Sequence, residues 1–283
     1  MTPRPPHLSR RILTGIGLTV LVSVVGLALV APMVLPTASA TTLYDESWYS
    51  TGDHPQDFTS TENITLVGYQ DEPVVFTHTA AYDAGNATVE AHGPAPGTHP
   101  DPDQRYSYVV KYQNLTPDPP VEYTRTEYIN PAHEISAPDA CIRRDTVTFE
   151  REQSRDVTRY EDGMHDLENA LVGQLLRFEA TETPRGTVLT PKNGLYRAMA
   201  GTGAYTRVLY VSQTDGQIVT RDGRVVDAEM TAHITMVDTI NGRILNPLGE
   251  YRSFDLVYSV QYSAAPVTVT VPEWVSTVET TCE

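Results

Sequence analysis

The chain predicts an α+β fold: a curved antiparallel sheet, or half-open barrel, packed on one or two helices, behind an N-terminal transmembrane or signal helix. Three observations predict it. From Tyr205 to Trp274, β-branched and aromatic residues alternate with polar ones, punctuated by Asp215–Gly216, Asp222–Gly223 and Asn241–Gly242, which are tight-turn dipeptides. Met164, Leu167, Leu171, Leu175 and Phe178 recur at three and four residues, the spacing of one helical face. Ile12 to Val34 is an uncharged, largely apolar run behind Arg4, Arg10 and Arg11.

That run is long enough to span a bilayer and exceeds the core of a simple cleavable signal, about 7–15 residues. Ala38 and Ala40 carry the small-residue spacing a signal peptidase cuts after, and Arg10–Arg11 reads as a twin-arginine start. Retained anchor and cleaved signal both stay open, the anchor preferred. Either way the arginines stay inside and residues from about 41 onward lie outside the cell, tethered to the membrane or, if cleavage follows Ala40, secreted. The organisation expected is therefore 1–40 as anchor or signal, 41–72 as a polar stalk or irregular segment, and 73–283 as an extracytoplasmic α+β domain.

Within that domain the elements follow in order. Val74 to Tyr82 reads as a helix of about three turns, with His78 and Tyr82 one turn apart and Gly85 as its stop. Ala87–Ala91 reads as a strand, and the Pro- and Gly-rich run from His92 to Asp103 as a loop. Tyr106–Tyr112, Val121–Tyr128 and Asp145–Glu150 are strands, the first two joined by a turn through Pro117 and Pro120. Met164–Phe178 is the strongest helix, Asp162 capping it and Val172 and Leu176 widening a stripe that faces the core. Short strands at Thr187–Thr190 and Leu195–Ala198 lead into the meander, whose strands are Tyr205–Val211, Gln217–Thr220, Arg224–Val226, Glu229–Val237, Ser253–Tyr262 and Pro266–Val271.

Charge narrows the partners. The net charge is −16, and beyond residue 40 there are 17 basic against 36 acidic residues, only Lys111 and Lys192 being lysines. Such a surface repels nucleic acid and anionic lipid headgroups. An acidic, lysine-poor chain suits molar salt, where screening removes self-repulsion, although an ordinary acidic secreted protein has the same signature. Cys141 and Cys282 are the only cysteines. Outside the cell such a pair reads as one disulfide before it reads as a metal or catalytic site, two free thiols being the alternative. Asn63, Asn86 and Asn114 each open an Asn-x-Thr sequon, making them candidate glycosylation sites.

Three segments carry a resemblance. His78 to Val89, with His78, Tyr82 and Gly85, resembles the helix-then-strand opening of archaeal cell-surface proteins related to lipoprotein carriers of the LolA type. Leu209 to Val219 is similar to their central hairpin, and Pro266 to Val275, with Pro272 and Trp274, to their last strand and tail. The resemblance, spanning about 74–276, implies a curved half-open sheet around helices with an apolar cavity that takes acyl chains. Members begin with a lipid-modified Cys after the signal; this chain has no Cys before Cys141, so anchoring would rest on the N-terminal helix itself.

No catalytic, cofactor-binding or metal residue is assigned, and no cofactor is expected. His92, His99, Asp101 and Asp103 could surround a cation, but Pro94, Pro96, Pro100 and Pro102 make that segment read as a stiff, extended loop instead. Carboxylate pairs such as Asp71–Glu72 and Glu161–Asp162 read as solvated surface in so acidic a chain, and no glycine-rich, nucleophile-elbow or zinc-helix pattern occurs. Tyrosine stands out, 16 against five Phe, with Tyr106, Tyr108 and Tyr112 sharing one strand face and Tyr258 and Tyr262 another. These read as sheet surface, or as an aromatic lining for a lipid, glycan or peptide. The expected function is a non-catalytic envelope protein, binding or carrying an apolar ligand in a sheet cavity whose lining residues the sequence does not identify. A structural or adhesive protein with a filled core is the first alternative. A surface hydrolase is the second, and it requires His133, His165 or His233 to meet an acid and a nucleophile in one cleft.

Overall fold

The computed structural model describes residues 41, 43, 57–94, 106–128, 140–153, 168–199, 206–237 and 252–282. The N-terminal helix, Asn241–Gly242, His99, Asp101, Asp103, His133, His165 and the start of the expected helix at Asp162–Leu167 lie outside them.

The first strand, β1 (Phe58–Val67), falls inside the segment expected to be a stalk or irregular. It is instead an interior strand of the sheet, paired with β2 (Val74–Tyr82) on one side and β13 (Arg252–Ser263) on the other. Phe58, Ser60, Glu62, Ile64 and Leu66 are all buried, while Thr59, Thr61, Asn63, Thr65 and Val67 face the other way. The period of two is complete, but Ser60 and Glu62 occupy inward positions, so the hydrophobicity pattern conceals it. β2 corrects a second expectation, since Val74–Tyr82 is a strand rather than a helix. A spacing of four, as between His78 and Tyr82, returns a side chain to one face of a strand as well as of a helix.

β3 (Asn86–Pro94), β4 (Tyr106–Asn114), β5 (Val121–Tyr128), β6 (Ile142–Arg144) and β7 (Val147–Gln153) continue the sheet on the β2 side. β8 (Phe178–Thr183), β9 (Gly186–Pro191), β10 (Gly194–Met199), β11 (Thr206–Arg221) and β12 (Arg224–Val237) continue it beyond β13. The order is β6-β7-β5-β4-β3-β2-β1-β13-β12-β11-β9-β8, with β10 also on β11; every pairing is antiparallel. The sheet is curved and unclosed, with β6 and β8 as its two edges.

The meander is longer and less broken than expected. Asp222 and Gly223, at φ 52° and 75°, form the two-residue turn of a tight hairpin between β11 and β12. Asp215–Gly216 makes no turn: β11 runs straight through it, with a register shift between Ser212 and Asp215 that Gln213 absorbs at φ 52°. A Cβ at Gly216 would lie 1.9 Å from the Glu229 carbonyl oxygen, so the partner strand's backbone is the reason for glycine there. Pro266–Val271, expected as a strand, joins no ladder. It crosses the sheet and leads into the helix α1 (Glu273–Thr281).

The two faces of the sheet are covered differently. On the face carrying Ile64, Ile234 and Leu256, called inner here, an apolar core spans β1, β9 and β11–β13. Val172, Leu176 and Leu43 pack into this core, each at most 1% exposed. The inward stripe expected around Met164–Phe178 thus reaches the core at Val172 and Leu176. The described part of it is Glu168, helical, and a π-helix, Asn169–Gly173, and Phe178 already opens β8, so the helix ends before Phe178. Asn169 Oδ1 accepts from the Leu43 N–H at 2.8 Å, and the Gly173 carbonyl accepts from the Thr41 N–H at 3.1 Å, which seats residues 41 and 43 on the core.

On the outer face, α1 buries Val275 and Val278 against Tyr112 and Tyr123 of β4 and β5. Trp274 lies against Phe149 of β7, ring centroids 5.9 Å apart. Cys282, just past the helix, is bonded to Cys141, as the cysteine pair leads one to expect, with Cα atoms 5.6 Å apart.

Candidate functional site

Where a sheet buries one face, its inward positions are ordinarily apolar. From β1 to β7 the inner face departs from this. Ser60, Glu62, His78, Lys111, Gln113, Glu122, Thr124 and Thr148 are all buried there. Antiparallel register aligns them: Glu62 opposes His78 across β1 and β2, Lys111 opposes Thr124, and Gln113 opposes Glu122 across β4 and β5. Two charged centres result.

In the first, His78 Nδ1 lies 3.3 Å from Glu62 Oε2, the side chains 2% and 4% exposed. In the second, Lys111 Nζ donates to Glu122 Oε1, both side chains shut off from water. Gln113 Nε2 donates to Glu122 Oε2 at 2.6 Å, and the Thr124 hydroxyl donates to Oε1 at 3.3 Å, so three donors converge on one carboxylate. Burial pushes the Lys111 amino group below its ordinary value, against the pull of Glu122 and, from farther off, of Glu152 and Glu150. Sequence reading missed this centre, although Lys111 is one of only two lysines in the chain. Its burial depends on partners eleven residues away in sequence, which no local pattern marks.

Such a centre fixes register. A slip of β4 against β5 by one residue would turn Lys111 and Glu122 to opposite faces and leave the one still enclosed without its partner, which is strongly destabilising. Its amine and hydroxyl are engaged with the one carboxylate and enclosed, and among the described residues no group of three His, Cys, Asp or Glu side chains could hold a metal ion.

The residues singled out from the sequence fall elsewhere. His233 sits on the outer face of β12, its Nδ1 2.6 Å from Asp255 Oδ1 on β13. Ser212 opposes His233 from β11, so serine, histidine and aspartate do lie in one row across three strands. The row lies on an open sheet face, with side chains 35% and 56% exposed at His233 and Asp255, and no hydrogen bond joins Ser212 to His233. Among the described residues the row therefore makes no base-to-nucleophile hydrogen bond.

His92 is at the end of β3 on the outer face, its ring centroid 6.5 Å from that of Tyr108. The tyrosines divide between the faces. Tyr258 is fully buried in the inner core, and Tyr262 stacks near Phe58 beneath the Arg224 guanidinium, 3.9 Å from its ring centre. On the outer face the Tyr112 hydroxyl donates to Asn86 Oδ1, the Tyr123 hydroxyl donates to Glu279 of α1 at 2.9 Å, and the Tyr108 hydroxyl to Glu90 at 2.8 Å. Burial pushes all three phenols above their ordinary value.

No protein-family model matches this chain, and no curated protein matches it. The geometry alone therefore carries the functional reading.

One further residue organises the outer face. Asp83, in the turn between β2 and β3, accepts from the Gly85 and Asn86 N–H groups at 2.8 and 2.7 Å through Oδ1 and from the Val269 N–H at 2.8 Å through Oδ2. Burial works to raise its carboxyl, but these bonds and one from the Asn86 side chain outweigh it and hold the group below the ordinary carboxylate value. Asp83 thus ties the segment before α1 to the sheet at one end, while the Cys141–Cys282 disulfide ties it at the other.

Proposed function

We propose that this chain is a non-catalytic extracytoplasmic protein of the cell envelope, tethered through its N-terminal apolar run, whose sheet serves as a rigid structural or adhesive scaffold. One observation carries the reading: the inner face is filled by the protein itself. Leu43, Val172 and Leu176 occupy the apolar half, and the buried pairs Glu62–His78 and Lys111–Glu122 occupy the other. Those side chains are already shut off from water within the protein, so that half of the face presents polar groups rather than an apolar lining to an acyl chain. The disulfide and the acidic, lysine-poor composition suit a surface exposed to an oxidising and salty exterior.

A second reading keeps the half-open barrel of a LolA-like carrier. It is favoured by the nature of the filling, since the described pieces over the apolar half are a five-residue π-helix and residues 41 and 43. An apolar ligand could take their place. Native mass spectrometry of the full chain, purified from its own membrane in detergent at high salt, with organic extraction of bound molecules, separates the two. The scaffold reading expects the bare polypeptide mass plus covalent modifications; a stoichiometric isoprenoid or acyl lipid would replace it with the carrier reading.

A further inference from the structure

Three sequons lie on the sheet, and the structure treats their asparagines differently. Asn63 is mid-strand in β1, laddered on both sides to Thr77 and Ser259, with its Nδ2 directed at Ser259 Oγ, 3.4 Å away. Asn86 is held at both ends of its amide: Oδ1 accepts from Tyr112, which is 4% exposed, and Nδ2 donates to Asp83 at 3.3 Å. Asn114 is the last residue of β4. Its Oδ1 accepts from the Thr116 N–H at 3.0 Å, the Leu115 N–H donates to the Gly85 carbonyl at 2.9 Å, and its Nδ2 has no partner among the described residues. Thr116 and Pro117, beyond it, are exposed.

We propose that Asn114 is the one asparagine of the three that carries an N-linked glycan. Its amide nitrogen meets no hydrogen-bond partner among the described residues, its oxygen is held by the backbone of the sequon's own threonine, and as the last residue of β4 it can be presented at the cost of the terminal pairs to Asn86 and Val121 alone. The donor is a glycosyl group activated as a lipid-linked phosphate ester. Asn114 Nδ2 bonds to the anomeric carbon, the carbon–oxygen bond to phosphate breaks, the phosphate leaves with the electron pair, and the amide gives up one proton. A glycan on Asn86 would have to displace Tyr112 or Asp83, and it would stand directly opposite Asn114, its cross-strand partner in the register. At Asn63, lifting the sequon out would break the pairings to β2 and β13 together.

The inference rests on the extracytoplasmic address of the reading above, so its test reads the address separately. Intact cells are treated with an external protease, and the full chain purified from untreated cells is digested and mapped by glycopeptide mass spectrometry. Expected are cleavage by the protease, a glycan mass on the Asn114 peptide, unmodified Asn63 and Asn86 peptides, and loss of one glycan mass from the whole protein in Asn114→Gln. Cleavage with a bare Asn114, or with a glycan on Asn63 or Asn86, overturns the site. Protection from the protease overturns the address and the site together.

Discussion

Lys111 on β4 and Glu122 on β5 form an ion pair whose two side chains are 3% and 2% exposed, in the middle of a sheet face that would ordinarily be apolar. A pair so buried contributes little net stability against an apolar substitute, but each partner is indispensable to the other. Lys111→Met is therefore expected to lower unfolding free energy by about 3–5 kcal/mol, and Glu122→Leu by a similar amount, whereas the double variant recovers most of the loss. Urea unfolding of the four proteins reads this directly. Single variants that lose less than about 1 kcal/mol would show that the pair does not hold the register.

Two histidines face carboxylates, and their environments separate them. His78 beside Glu62 is buried, and His78→Ala removes the imidazole facing that enclosed side chain, with an expected loss of about 1–3 kcal/mol. His233 beside Asp255 is solvated, and His233→Ala is expected to cost no more than about 1 kcal/mol despite the shorter contact of 2.6 Å. Thermal unfolding of the two variants in one buffer makes the comparison; equal losses would refute the assignment by burial.

Asp83 predicts an acid-sensitive attachment of the C-terminal segment. Its folded pKa is depressed, so the stability it contributes is fully present above the unfolded value near 3.8 and is lost as pH falls through the lower folded value. Asp83→Ala should remove that stability at neutral pH and flatten the acid limb of the stability curve. Trp274 fluorescence against pH follows the segment itself. An acid limb unchanged by the substitution would place the sensitivity elsewhere.

Reduction tests the other end of the same segment. The Cys141–Cys282 bond closes a loop across a sequence separation of 141 residues, and restricting so long a loop in the unfolded chain stabilises the fold by about 5 kcal/mol in the chain-entropy account. Cys282→Ser is expected to cost about 2–5 kcal/mol and to loosen α1 from Tyr112 and Tyr123. Hydrogen exchange would report earlier opening in α1 than in β13. Uniform loss of protection would mean that helix and sheet unfold together.

Several elements were legible because their signals are local. The Asp222–Gly223 turn, the strands of β4 and β5, the two strands flanking the hairpin and the cysteine pair all follow from residues near one another in sequence or from a residue type with few uses. β1 and β2 were obscured for one reason. Ser60, Glu62 and His78 sit at inward positions, so the hydrophobicity alternation that announces a strand is broken where the strands are most buried. At Gly216 the dipeptide suggested a turn, but β12 lies against it and extends β11 through the bulge. Pro266–Val271 kept a strand's alternation and joined no ladder, Asp83 taking the Val269 amide as the segment crosses the outer face.

The sequence by itself determined the antiparallel sheet, the acidic surface and the chance of a single disulfide, because turn chemistry, β-propensity, net charge and a lone pair of cysteines are properties that residues hold before they meet. Tertiary structure decided which polar residues are enclosed, which sequon amides are hydrogen-bonded, and which Ser, His and Asp remain on an open face. Those outcomes depend on cross-strand register and on what covers each face, and both are set by residues tens of positions apart.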